Sequence, residues 1–236
     1  MAIDIKVIFH LTQKKCPLCS RFSSGLKKFL SRFFGFGIDC QGIERRTHKS
    51  GEQRVAEVNA EAPDCACEKY RMSKHSPHPV ENSETLARFI FSPMLFDRKT
   101  GKAKPNAFSH VNSRGCSIQR DSITTNDELF SFVKQFLIGK DDRAWKGVLH
   151  AQCSNIRNIS SDDSVRREVC VYDTATLGNP AHGELFQSQY VVDEADRVEL
   201  REKLFIAFGN GGMIPPLQYR DGAVWNNLPD SLQARS

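Results

Sequence analysis

The sequence predicts an α+β fold with a mainly antiparallel sheet and two helices, preceded by a small cysteine-rich N-terminal segment. Short apolar runs that are typical of strands alternate with turn residues between positions 86 and 192. Two further segments carry apolar residues at steps of three and four, which is typical of amphipathic helices. Runs of strands mixed with two helices indicate the α+β class.

The composition is that of an ordinary soluble protein with a hydrophobic core. Of the 236 residues, 39% are hydrophobic and 26% are charged. No apolar run approaches the roughly 18 residues that are needed to span a bilayer. The N-terminus also lacks the basic-then-apolar order of a secretory signal. We therefore expect a cytoplasmic protein with no membrane contact.

The character of the chain changes near residue 84, which predicts three parts. Residues 1–84 are basic and rich in cysteine, residues 85–212 hold the α+β domain, and residues 213–236 form an irregular tail. In the second part, Thr125 precedes one predicted helix and Gly139 ends it. The second predicted helix follows the last strand-like run and stops at a glycine-rich turn.

A basic amphipathic helix is predicted at residues 20–34. Its apolar residues follow the helical period, and Arg21, Lys27, Lys28 and Arg32 occupy the other faces. Cationic side chains can neutralise phosphate groups, so this helix is a candidate contact for nucleic acid. The alternative is that these side chains are simply solvated.

Cysteine is concentrated near the N-terminus, where five of the eight cysteines lie. The eight are Cys16, Cys19, Cys40, Cys65, Cys67, Cys116, Cys153 and Cys170. In a reducing cytosol such clustering favours metal binding or redox chemistry over structural disulfides. The last three lie among strand-like residues, where a free cysteine is usually a small buried side chain.

Four cysteines are the candidate zinc ligands: Cys16, Cys19, Cys65 and Cys67. A tetrahedral site needs four such ligands, and two-residue spacing lets the first pair reach a single ion. Other candidates for the second half of the site are Cys40, His75 and His78. A bound metal would help to order the polar residues 45–84. The sequence thus predicts Zn²⁺ as a structural cofactor, unless the thiols merely pack.

The stretch Cys16-Pro17-Leu18-Cys19 also resembles the active-site turn of the thioredoxin and glutaredoxin families. A predicted strand leads into the turn and the basic helix follows it, over residues 3–38. The resemblance implies an attacking thiol at Cys16 and a resolving thiol at Cys19. It ends near residue 38, because no second strand pair follows.

A candidate catalytic group lies in the second part of the chain. His182 and Glu184 alternate along a predicted strand, so they share a face and could act as a base and its orienting carboxylate. Ser117 on an earlier strand is a third candidate, and His150 could join from a neighbouring strand. A histidine on a strand is more often structural, and this alternative stays open. Other polar residues near Ser117 in sequence are His110, Arg114 and Arg120.

Four short motifs resemble those of a largely uncharacterised group of bacterial proteins. The motifs LARFIFSP, KPNAFS, GCSIQRD and GNPAHGELF lie within about residues 86–208. The matching residues are Asn106, Ala107, Phe108, Ser117, Ile118, Asn179, Pro180, Ala181 and His182. Members of that group lie in variable genomic neighbourhoods that include defence genes. The resemblance implies an accessory or adaptor protein of a bacterial system, such as phage defence.

Three strand residues are similar in their order to a trio of the ADP-ribosyltransferase superfamily. The split sheet of that superfamily carries an Arg or His on an early strand, a Ser or Tyr on the next and a Glu late in the chain. Arg88, Ser117 and Glu184 follow that order here. The similarity is one of fold, and it implies corresponding roles for these three residues.

Two functional hypotheses follow. The first is an accessory or adaptor protein that binds a protein or nucleic-acid partner and carries a structural zinc site. It is favoured by ligand-like cysteines in a chain without a complete catalytic motif. The alternative is an enzyme that acts on a nucleotide or nucleic acid through His182, Glu184 and Ser117.

Overall fold

The fold is that of a computed structural model, which describes residues 38–47, 51–140, 142–161 and 166–220. The described residues from Asp39 onward group by their contacts into one compact unit. Three predicted features lie outside the described residues: the strand at residues 3–11, the pair Cys16 and Cys19, and the basic helix at residues 20–34. None of the helices in the described ranges is long and apolar enough to cross a membrane.

Five strands form one sheet at the centre of the described unit. The strands of the described ranges are β1 (Thr85–Ser92), β2 (Phe96–Asp97), β3 (Lys102–Ala103), β4 (Cys116–Arg120), β5 (Ala144–Gln152), β6 (Val169–Tyr172) and β7 (His182–Gln187). The sheet has the order β5-β1-β4-β7-β6, and β2 pairs with β3 in a separate hairpin. All neighbouring pairs are antiparallel. The predicted α+β fold with an antiparallel sheet is therefore confirmed.

Both predicted helices of the second part are present, with shorter helices around them. The α-helices of the described ranges are α1 (Cys40–Thr47), α2 (Arg54–Glu61), α3 (Asn126–Leu137), α4 (Cys153–Arg157) and α5 (Glu194–Ala207). Short 3₁₀ helices span Gly51–Gln53, Pro63–Lys69, Pro105–Asn112, Asp121–Ile123 and Pro216–Gln218. Capping boxes begin the two predicted helices, with Thr125 and Glu128 at α3 and Asp193 and Asp196 at α5.

Two disulfide bonds hold the described residues between 40 and 80, which we name the bridged segment. Cys40 is bonded to Cys67 within the segment, and Cys65 is bonded to Cys170 of β6. The polar sequence of residues 45–84 predicts mainly loops, but α2 lies within this range, because the cross-links restrict a chain that is poor in large apolar side chains. The segment precedes the boundary predicted near residue 84, and its second bridge joins it to the sheet.

The other cysteines of the described ranges, Cys116 and Cys153, are buried and free, as the sequence predicts. Burial raises the pKa of the Cys153 thiol to about 11 and also raises the pKa of the Cys116 thiol. Both thiols are therefore protonated and unreactive at neutral pH. The same prediction is wrong for Cys170, because its partner Cys65 lies 105 residues away and no local spacing reveals the pair.

The bridged segment and α3 cover the same face of the sheet at its two ends. Phe89 of β1 packs edge-on against Phe132 of α3, with ring centroids 5.2 Å apart. At the other end, Phe186 of β7 shares a core cluster with Val55 and Val58 of α2. The opposite face of the sheet packs against α5. The covered face therefore has a gap between its two covers, above β4 and the neighbouring part of β7.

The sheet opens beside this gap, between β1 and β4. The register joins these strands at two pairs, Leu86 with Arg120 and Ala87 with Gln119. Beyond these pairs, β1 continues to its end beside β5, and the side chain of Arg88 occupies the space between the separating strands. Ligand sites are concave, and an opening of this kind provides such a concavity.

The tail begins as a packed part of the fold. Ile214 pairs with Val148 of β5. The adjacent Gly147 has a φ of 138°, and a Cβ atom there would lie 2.3 Å from the Ile214 carbonyl oxygen. Tyr219 is 1% exposed and packs against Trp145. The close approach of the tail to the sheet therefore requires a glycine at position 147.

Asp173, directly after β6, also holds the bridged segment against the sheet. Its Oδ1 accepts a hydrogen bond from the Met72 amide at 2.7 Å, and the residue is 2% exposed. Burial raises the pKa of Asp173 to about 6, although the bond from Met72 acts in the opposite direction. A buried carboxylate of this kind lowers stability when it is ionised.

The variant Asp173→Asn should be more stable than the native protein at pH 8, by about 2–3 kcal/mol. The unfolded carboxyl ionises near pH 4, whereas the folded one stays protonated up to about pH 6. The native protein therefore loses stability as the pH rises between these values, and asparagine, which keeps the acceptor, does not. Urea unfolding of both proteins at pH 4 and pH 8 measures this difference. An equal difference at both pH values would contradict the raised pKa.

Candidate functional site

A cavity of about 540 Å³ lies on the covered face, where the sheet opens between β1 and β4. Cavities of this size hold small molecules and nucleotides. The lining comes from β1, β4, β7, α2, α3 and the 3₁₀ helix at Pro105–Asn112. The lining includes six polar or charged side chains on which the following description depends: Arg54, Arg88, Ser117, Gln119, Arg143 and Glu184.

Ser117 and Glu184 lie side by side on the sheet and line the cavity. They are directly opposite each other in the register of β4 and β7, and such residues point to the same face. Gly115 has a φ of 94°, and a Cβ atom there would lie 3.0 Å from the Oε1 of Glu184 and 2.3 Å from the ring of Phe186. A glycine at this position therefore leaves room for the carboxylate.

The carboxylate of Glu184 is held by Arg54 of the bridged segment. The Nη1 atom of Arg54 lies 2.7 and 2.6 Å from the two oxygens of Glu184. Both residues are 5% exposed, and Nη2 of Arg54 donates to Glu44 at 3.1 Å. The guanidinium also lies over the ring of Phe186, at 5.2 Å from its centroid. A buried ion pair of this kind fixes the carboxylate in one position and keeps its charge compensated.

Two cationic side chains of the cavity have no acidic partner among the described residues. Arg88 donates to backbone carbonyls, at 2.7 Å to Ser117 and at 2.9 and 3.1 Å to Ala107. Arg143 lines the same cavity, and no carboxylate of the described ranges pairs with it. Two guanidinium groups without an acidic partner in the described ranges favour an anionic ligand, and arginine is suited to phosphate.

The α3 side of the cavity is aromatic. Phe89 and Phe91 of β1 line it together with Phe132 and Phe136 of α3. Phe91 and Phe136 are stacked, with centroids 5.3 Å apart, and Phe136 is 37% exposed. Aromatic side chains of this kind offer a surface on which a planar ring can pack. The cavity thus has a cationic part and an aromatic part.

A neutral histidine, His110, borders the cationic part of the cavity. Burial lowers the pKa of His110, and the nearby charges of Arg114 and Arg88 lower it further. The ring is therefore neutral at pH 7. The guanidinium of Arg114 pairs with Glu52 at the exposed side of the cavity. His110 and Arg114, which lie near Ser117 in sequence, are brought to the same cavity by the structure.

Gln119 also lines the cavity, although no sequence motif contains it as a candidate site residue. It is 1% exposed, and neither its Oε1 nor its Nε2 has a hydrogen-bond partner in the described part of the chain. Its position two residues after Ser117 on β4 gives it the same face of the sheet. That spacing is the signal in the sequence that could have identified it.

The structure does not bring His182 into the cavity. Its Nδ1 lies 2.9 Å from the carbonyl oxygen of Thr174, with the Thr174 hydroxyl at 3.1 Å. The carboxylate of Glu184 is instead bound by Arg54. His150 lies on β5, three strands away from β7 in the sheet, and packs against Tyr219. Of the three predicted catalytic residues, Ser117 and Glu184 therefore line the cavity and His182 does not.

The predicted zinc ligands fall into two groups. Cys16 and Cys19 lie outside the described residues. Cys65 and Cys67 are disulfide-bonded here, and a disulfide sulfur has no thiolate to offer to a metal. In the described ranges no group of three or more His, Cys, Asp and Glu side chains is arranged to hold a metal ion. Zinc binding by Cys65 and Cys67 would therefore require their reduction, and Zn²⁺ stays a prediction.

If the predicted zinc site forms, zinc should bind only after the two disulfides are reduced. Reduction gives Cys65 and Cys67 the thiols that zinc needs as ligands. Elemental analysis of protein that was incubated with zinc salt and then desalted, with and without a prior reductant, measures the effect. The variant with alanine at Cys16 and Cys19 is the control. Reduced native protein without zinc would remove the metal prediction.

Comparison of the chain with protein-family models, with curated proteins and with solved structures finds no match. Fold and site therefore define the class of this protein by geometry alone. It is an α+β protein whose antiparallel sheet opens onto a cavity with cationic and aromatic walls and one buried carboxylate.

Proposed function

We propose that the cavity binds a nucleotide and that the protein is an enzyme that acts on it, with Glu184 and Ser117 at the reacting centre. One observation carries the proposal: Arg88, Ser117 and Glu184 lie on three successive strands of the sheet and line one cavity. This is the trio that is similar in order to the ADP-ribosyltransferase superfamily. The position of all three residues in one cavity supports that similarity, because it adds proximity in space to their order in the sequence.

The walls of the cavity suit the two ends of a nucleotide. The guanidinium groups of Arg88 and Arg143 are placed to neutralise phosphate oxygens. The rings of Phe132 and Phe136 are placed to pack against a planar base. The superfamily similarity narrows the ligand to a dinucleotide that can donate an ADP-ribosyl group, which is NAD⁺.

Glu184 has the properties that the breaking of a glycosidic bond requires. When the bond between ribose C1′ and the nicotinamide nitrogen breaks, the electron pair leaves with the nitrogen and positive charge develops on the ribose. A fixed carboxylate in a dry site stabilises that charge. An acceptor hydroxyl or a water then bonds to C1′ and releases its proton to solvent. Ser117 lies beside the carboxylate to orient the ribose, and Arg54 positions the carboxylate.

The test is the release of nicotinamide from NAD⁺ by the full chain. The variant Glu184→Gln should lose about a hundredfold or more of the rate and keep NAD⁺ binding, because it removes the charge and little volume. Ser117→Ala should lose less. His182→Ala should keep the rate, since its ring is directed to Thr174 and not to the cavity.

Two results would contradict the proposal. One is native protein that neither binds NAD⁺ nor releases nicotinamide. The other is a Glu184→Gln variant that is as active as the native protein. Binding of NAD⁺ without turnover would support the first hypothesis from the sequence, an accessory protein that binds its partner without catalysis.

The proposal includes the cytoplasmic location that the sequence predicts. Disulfides in most cytosols are reduced unless they take part in redox sensing or catalysis. In such a compartment the bonds of Cys40 with Cys67 and of Cys65 with Cys170 would form on oxidation. Rapid alkylation of thiols in intact cells, followed by mass spectrometry, measures how much of each bond is present.

A further inference from the structure

We propose that Gln119 determines the specificity of the cavity by forming two hydrogen bonds with a planar group of the ligand. That group presents an acceptor and a donor side by side, as the edge of adenine and a carboxamide both do. This inference rests on the proposed function, because it identifies the part of the nucleotide that the amide contacts. It assigns to Gln119 a role that fold and sequence do not require.

The burial of Gln119 is the first observation. The residue is 1% exposed, and both polar atoms of its amide are without a partner in the described ranges. A buried amide that makes no hydrogen bond is costly, and most buried polar side chains are paired. An apolar side chain of the same size would make the folded state more stable, because it would bury no unpaired amide. The amide is therefore suited to a ligand.

The register of the sheet places Gln119 on the face that the cavity occupies. On one side it pairs in register with Ala87 of β1, whose small side chain leaves space. On the other side it pairs with His182 of β7, whose ring bonds to Thr174 instead. Gln119 lines the cavity together with Ser117 of the same strand. The amide, the hydroxyl and the carboxylate of Glu184 thus form one polar strip on the sheet.

The chemistry of the amide defines the group it recognises. A glutamine amide carries an acceptor oxygen and a donor nitrogen a short distance apart. It matches a planar group with the opposite arrangement, and the pairing of glutamine with the edge of adenine is the best-known example. The aromatic side of the cavity, with Phe89 and Phe132, would pack against the face of the same ring. In NAD⁺ either the adenine or the nicotinamide carboxamide meets this description.

Calorimetric titration of the full-length Gln119→Met variant and the native protein tests the inference. The probes are NAD⁺, ADP-ribose, which has adenine and no carboxamide, and nicotinamide mononucleotide, which has the carboxamide and no adenine. The variant should bind NAD⁺ and one of the two shorter probes about tenfold to a hundredfold more weakly. The other short probe should bind the variant and the native protein equally. The probe whose binding is weakened then identifies the group that Gln119 contacts. The midpoint of urea unfolding should stay the same or rise, because an unpaired amide is removed.

The matched control is Gln152→Met, which changes an exposed glutamine of β5 whose amide bonds to Thr85. It should leave all three affinities unchanged. Native and Gln119→Met proteins that bind NAD⁺ equally would overturn the inference and leave the proposed function standing. A variant that unfolds at lower urea would also overturn it, because the amide would then serve the fold. Native protein that binds none of the probes would remove both proposals.

Discussion

Replacing Cys65 and Cys170 together by alanine should lower the free energy of unfolding by about 4–5 kcal/mol. The bond closes a loop of 105 residues, and a long closed loop removes much conformational freedom from the unfolded chain. Urea unfolding under non-reducing conditions measures the loss.

The redox state of the medium provides the control. A reductant should destabilise the native protein by at least as much as the double variant, because it also opens the bond between Cys40 and Cys67. When the reductant is added to the double variant, the variant should lose only the stability that the bond between Cys40 and Cys67 contributes. Native protein with the same stability with and without reductant would show that the disulfides do not hold the bridged segment.

The variant Arg54→Ala should be destabilised by about 3–5 kcal/mol. It removes the cation from the buried carboxylate of Glu184, which would then lie 5% exposed without compensation. It also removes a side chain that packs over the ring of Phe186. Chemical unfolding of oxidised protein measures the loss.

Two further variants separate the charge effect from packing. Glu184→Gln added to Arg54→Ala should recover part of the stability, because a neutral amide does not need the cation. The matched control is Arg114→Ala, whose partner Glu52 is exposed. It should cost no more than about 1 kcal/mol. An equal effect of Arg54→Ala and Arg114→Ala would contradict the account of the Glu184 site.

The central sheet and the two longer helices were predictable because their signals are local. The apolar periods and the residues that cap α3 and α5 lie within each element. The bridged segment was not predictable, because its order depends on a bond from Cys65 to Cys170 that joins distant parts of the chain. Cysteine spacing indicates which residues are close in sequence, and it leaves their pairing open.

The candidate site was partly predictable, for a similar reason. Strand position predicts Ser117 and Glu184 as site residues, and the register places them opposite each other. The predicted catalytic role of His182 depends on the direction of its ring. That direction is determined by a contact with Thr174, which lies outside the strand. Arg54 was not identified, because it reaches Glu184 from 130 residues away.

The most direct test of the account is hydrogen exchange of the full chain with and without saturating NAD⁺. The account predicts slower exchange at the strands and the 3₁₀ helix that line the cavity. These are the amides of Thr85–Ser92, Pro105–Asn112, Cys116–Arg120 and His182–Gln187. Unchanged exchange in all of these segments at saturating NAD⁺, or protection confined to other parts of the chain, would contradict the claim that the cavity is a nucleotide site.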